Sequence, residues 1–168
     1  DALSLLAGKV GPQVVGVVRC AAAEPAAPPY PQIPPMLLSL RLLFIIVLGS
    51  MLWVTSWASL QCPLFGVPRD VFTHPWFIAT LFDAYWGFVT FYVWAAYKQT
   101  SWVARGAWLV AILLLGNIAM AAYCLGELFA LPKDGRPADL LTVRREGPGF
   151  LGLILAALGV AVIVLALP

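Results

Sequence analysis

Four long apolar runs, at residues 36–60, 75–97, 102–131 and 149–167, leave this chain little with which to build a water-facing surface. A helix needs about 20 apolar residues to cross a hydrocarbon layer roughly 30 Å thick, and each run comes within a residue of that length or exceeds it. Only 11% of the residues are charged, against roughly 25% in an average soluble domain. These features predict an all-α, polytopic transmembrane bundle with four membrane-spanning helices. Connectors of roughly 14, 4 and 17 residues leave no room for a separate soluble domain and set neighbouring helices antiparallel.

The ends of the runs carry matching signals. Pro34 and Pro35 precede the first, Pro75 occupies a favourable first helical position, and Pro132 follows the third. Trp57, Trp76, Tyr97 and Trp102 fall near run ends, where aromatic rings prefer the membrane interface, whereas Trp53, Trp86, Trp94 and Trp108 lie deeper. Residues 1–35 differ. Residues 3–19 are apolar but broken by Lys9 and Pro12, and six prolines fall within 25–35, the pattern of a surface segment followed by a stiff extended linker. The organisation expected is therefore an N-terminal segment (1–35), a three-helix core (36–131), a polar loop (132–148) and a fourth helix (149–168).

With four crossings the cations divide evenly. Lys9, Arg19, Arg41, Lys98 and Arg105 fall on one side, and Arg69, Lys133, Arg136, Arg144 and Arg145 on the other, so charge assigns no orientation. A net charge of +2 with no basic, aromatic-interleaved stretch argues against a nucleic-acid partner. Cys20, Cys62 and Cys124 occur singly, away from CxxC spacing, and are expected as free thiols. There is no GxSxG elbow and no phosphate-cradling glycine pattern, and the one histidine, His74, rules out multi-imidazole metal sites within the chain. These absences disfavour an enzyme. Lys133, Asp134, Asp139, Arg144, Arg145 and Glu146 mix both signs in the 132–148 loop and read as a solvated face.

Ionisable side chains at membrane depth cost about 2.5 kcal/mol or more and usually have a partner, so Arg41, Asp83, Asn117 and Glu127 are the candidate intramembrane polar residues. At about 1.5 Å per residue, Asp83 lies roughly 12 Å inside the second run. Because the third helix runs the other way, Asn117 comes level with Asp83 and Glu127 approaches the level of His74, and two cross-helix contacts are expected there. Asn117, Met120, Cys124 and Glu127 would share one face, and Thr80, Asp83, Ala84 and Gly87 the facing one. Arg41 is expected to snorkel to its nearer interface. As a ligand, His74 could hold a magnesium porphyrin, as could Asn117 or Glu127 through oxygen. The fourth run has no charged or hydrogen-bonding side chain, and its Gly152, Ala156 and Gly159 form a small-residue face suited to close helix packing.

The strings LGSMLWVTSWASL, FTHPWFIATLFDAYWGFVTFYVWAAYK and LLGNIAMAAYCLGEL resemble the plant and bacterial membrane proteins grouped as domain-of-unknown-function family 1475, over residues 36–131. Thr73, His74, Pro75, Trp76, Asp83, Tyr85, Gly116, Asn117 and Met120 carry the resemblance. It implies no activity. Its occurrence in photosynthetic lineages implies a chloroplast thylakoid membrane, and the Ala- and Pro-rich segment ahead of the bundle would suit a plastid precursor whose leader has been trimmed. The expectation is a small non-catalytic accessory subunit of a larger photosynthetic membrane complex. Its partners are lipids and other transmembrane subunits, with chlorophyll and carotenoid against its aromatic surfaces. The competing expectation is a small proton- or ion-coupled transporter working through Asp83, Asn117 and Glu127.

Overall fold

The computed structural model describes residues 35–132, 137–144 and 149–166. The N-terminal segment with Cys20, and the loop charges Lys133, Asp134, Arg136, Arg145 and Glu146, lie outside the described residues. The regular elements described are all helical: α1 (Pro35–Gln61), a 3-10 turn (Leu64–Gly66), α2 (Arg69–Thr73), α3 (Pro75–Lys98), α4 (Trp102–Leu115), α5 (Asn117–Ala130), α6 (Pro137–Thr142) and α7 (Gly149–Ala166). Three of them, α1, α3 and α7, are long and apolar enough to cross a membrane, which suggests a membrane protein.

Proline punctuation sets the boundaries. Pro75 begins α3 because a first-turn residue needs no N–H partner, and Pro63 and Pro132 follow helix ends. Hydroxyl groups inside the apolar helices bond back to their own turn. Thr55 donates to Met51 O at 2.7 Å, Thr80 to Trp76 O and Thr90 to Trp86 O, each at 2.8 Å. Without water, a side-chain donor must find an acceptor within the protein. The short α2 and α6 helices fall inside the segments expected as plain connectors.

The expected third span is not one helix. It breaks at Gly116 into α4 and α5, of 14 residues each. Gly116 has φ +54° and ψ −126°, the mirror of the extended region, which a residue with a Cβ avoids. A Cβ there would also lie 2.7 Å from Phe88 Cζ on α3. The two halves fold back on each other. The rings of Trp108 (α4) and Tyr123 (α5) meet edge-to-face at 4.8 Å between centroids. Along a straight helix the 15 residues separating them would span about 22 Å. At about 1.5 Å per residue each half is roughly 21 Å long, short of the roughly 30 Å of the hydrocarbon layer.

Neighbouring contacts fix the directions of the other helices. Along α7, Gly149 lies against Ala104, Gly152 against Trp108, and Gly159 against Leu114 and Leu115, so α7 runs parallel to α4. The small-residue face expected of the fourth run is thereby placed, and it packs within the chain. A Cβ at Gly152 would sit 2.9 Å from Trp108 Nε1, so glycine lets the indole approach the α7 backbone. The start of α1 packs on the end of α5, where Leu37, Leu128, Leu131 and Leu140 form one cluster with Leu40 and Phe44 around it. A second cluster, of Ala95, Trp108, Ala111, Ile112, Ala119 and Tyr123, fills the space between α3 and the hairpin.

The start of α1, the end of α3, the start of α4, the end of α5 and the start of α7 thus share one end of the bundle. Arg41, Lys98, Arg105 and Arg144 belong to that end, and Arg69 to the other. The even division of charge expected from four crossings does not hold for the described residues. The reversal at Gly116 returns the chain to the side it came from and carries Arg144 with it.

Candidate functional site

Lys98, Gln99, Arg105, Tyr123, Glu127 and Arg144 converge on the C-terminus of α3, where the helix leaves its last carbonyls without intrahelical partners. Lys98 is 1% exposed and Glu127 2%, yet both are charged residues. Nζ of Lys98 lies 2.5 Å from Glu127 Oε2 and also donates to Leu140 O of α6. The face of Trp94, with its ring centroid 5.4 Å from Nζ, covers the ammonium. A buried ion pair persists only where further hydrogen bonds complete the partners, and here α6 supplies one to Lys98 through Leu140 O.

Around this pair, arginines take up two further carbonyls, of Tyr97 and Gln99. Arg105 donates through Nε and a terminal nitrogen to Gln99 O, at 3.0 and 2.9 Å. The Nε of Arg144 reaches Tyr97 O at 2.9 Å. The Gln99 amide donates to the Tyr123 hydroxyl at 3.2 Å, and Trp94 Nε1 donates to Leu141 O at 3.3 Å. Cations at a helix C-terminus also complement its partial negative charge. Tyr123 is fully buried and lies edge-to-face against Phe91, Trp94 and Trp108. The chemistry of this arrangement is cohesive: it ties α3, the returning half of the hairpin and the segment after it into one joint.

The structure redistributes the residues singled out in the sequence. Glu127 is not level with His74. The hairpin carries it to the opposite end of α3, against Lys98. Asp83 and Asn117 do not pair. Asp83 is exposed on α3, with no hydrogen bond or ion pair among the described residues, and Asn117 is exposed at the hairpin tip. The face with Thr80, Asp83 and Gly87 looks outward, because the inward face of α3 carries Phe88, Phe91 and Ala95. Arg41 reaches across to α5 at the cation-rich end of the bundle. It donates to Leu128 O at 2.8 Å and stacks over Phe129, with 5.0 Å between guanidinium carbon and ring centroid. His74 links α2 to α3, its backbone N–H bonding Val71 O and its side chain exposed. Cys62 is exposed and Cys124 buried, both as free thiols.

Lys98 is the residue that sequence reasoning missed. At the end of an apolar run a lysine looks like an interface residue with its head in water. The available signal was Glu127, an acid within an apolar run that required a cation at its own depth.

A family model described as a protein of unknown function (DUF1475) matches residues 38–149, from α1 to the first residue of α7. No curated protein and no solved structure matches the chain.

Proposed function

The chain belongs to the DUF1475 family, and we propose that it is a non-catalytic transmembrane accessory subunit that stabilises a larger membrane assembly. One observation carries this reading: the buried charges are consumed in holding the fold together, while three tryptophans of the long helices α1 and α3 face outward. Lys98 and Glu127 saturate each other, whereas Trp53, Trp76 and Trp86 are 74%, 78% and 65% exposed. Outward aromatic surfaces on membrane helices suit contact with lipid and with neighbouring subunits.

The finer proposal is that the assembly is photosynthetic and the membrane thylakoid, supported by the lineages in which the family resemblance occurs. Chlorophyll and carotenoid would then lie on the outer aromatic faces. Of the candidate ligands, Glu127 does not fit, because Lys98 and burial occupy its carboxylate. The exposed imidazole of His74 and the exposed amide of Asn117 retain free donor atoms for a magnesium porphyrin. A mass-spectrometric inventory of native gels run in mild detergent tests both levels. Co-migration with a larger pigmented complex is expected, and migration of the chain with none of that complex's subunits refutes the reading.

A second reading, a small ion-coupled transporter, draws support from the helix break at Gly116, because discontinuous helices are common at transporter binding sites. Asp83, Asn117 and Glu127 are, however, dispersed over an outer face, a hairpin tip and a closed ion pair. Ion flux in liposomes separates the readings, since the accessory subunit gives none.

A further inference from the structure

We infer that α3 is the contact through which two copies of this chain associate, parallel and around a two-fold axis along the membrane normal. The inference is independent of the accessory-subunit reading. It starts from Asp83, a carboxyl roughly 12 Å along α3 from Pro75 that faces out of the bundle without a partner among the described residues. A carboxyl at that depth in hydrocarbon is costly, and such groups face a protein partner.

The same face supplies what a second copy would need. Three residues on, Trp86 presents an indole N–H, and no hydrogen bond from it occurs among the described residues. Three residues rise about 4.5 Å along a helix, and because both side chains lean toward the N-terminus the longer indole reaches further back and shortens that offset from Asp83. Gly87, one turn after Asp83, has no atom within 4 Å of where a Cβ would stand, so a neighbouring backbone can approach there. Ala79 and Thr90 continue this exposed strip.

Acceptor and donor on one face, at nearly one depth, make the surface complementary to itself. In a two-fold pair each Asp83 carboxyl accepts the mate's Trp86 N–H, and the reciprocal bond forms by symmetry. Copies inserted in the same orientation place equal depths side by side, so no other charge is required.

The test uses the full chain labelled with a fluorophore and reconstituted in bilayers, with its association measured by energy transfer over a range of protein-to-lipid ratios. The wild-type chain dimerises. W86F, which keeps an aromatic ring and loses the N–H, and D83L each weaken dimerisation by about tenfold or more, the effect of losing two intramembrane hydrogen bonds. D83N keeps an acceptor and retains the dimer, G87L abolishes it, and S50L on α1 leaves it unchanged. All four positions are exposed, so unfolding midpoints stay near wild type. A chain monomeric at every ratio overturns the proposal. So does a dimer indifferent to W86F, D83L and G87L, or association that requires a different protein.

Discussion

Replacing Lys98 by Met removes the ammonium but keeps a side chain of similar length, so it isolates the ion pair from its packing. Glu127, 2% exposed, would be left with a carboxylate shielded from water and without a cation partner among the described residues, and Leu140 O would lose its donor. Breaking one partner of a buried pair costs about 3–5 kcal/mol, while replacing both by apolar residues of similar volume is close to neutral. K98M is therefore expected to lose about 3–5 kcal/mol of unfolding free energy, and E127L a similar amount. The double variant K98M/E127L should fall only about 1–2 kcal/mol below wild type, because the Leu140 carbonyl remains unbonded. The cycle thus predicts strong non-additivity, measured by denaturant unfolding in detergent micelles. A second readout follows from position. Cys124 is buried one turn before Glu127, and in a C20S/C62S background its thiol should react faster in K98M, as the returning half of the hairpin loosens from α3. Additive single effects, or a K98M variant within about 1 kcal/mol of wild type, would refute the claim that this pair holds the hairpin in place.

G116A should destabilise the chain by about 1–3 kcal/mol through its positive φ, with Phe88 adding a clash that F88L relieves only in part. The same unfolding assay reads both, and an unchanged midpoint rejects the mirrored backbone. G152L should cost about 1–3 kcal/mol by displacing Trp108, visible in near-ultraviolet circular dichroism. G49A, where nothing lies near, should be neutral or stabilising by up to about 1 kcal/mol. The hairpin also predicts sidedness: in a C20S background, an epitope after residue 168 and Cys62 are labelled from the same side by impermeant reagents, whereas four crossings put them on opposite sides. The cation-rich end, with Arg41, Lys98, Arg105 and Arg144, is expected in the compartment that retains positive loops. A reporter fused at residue 100 checks that.

Much of the fold could be read from the chain. Apolar run length and proline placed α1, α3 and α7 to within a residue or two, and the spacing of Gly152, Ala156 and Gly159 marked a packing face before its partner was known. The site was far less legible. Asp83, Asn117 and Glu127 stood out because a polar group in hydrocarbon is costly wherever it points, but their pairing rested on a straight third helix. Gly116 gave little warning. A glycine within an apolar run is tolerated in many membrane helices, and only its observed backbone conformation turns it into a reversal.

Hydrophobicity by itself determined that this protein is helical and suited to a bilayer, since an unbroken apolar run has one economical way to satisfy its backbone there. Which end of α3 receives Glu127, which face of α3 is left open around Asp83, and to which side the last connector returns were decided by tertiary structure. The physical reason is that each depends on the angle between α4 and α5. That angle is set by one glycine's backbone torsions, by Phe88 beside it, and by the Lys98–Glu127 contact that closes the turn.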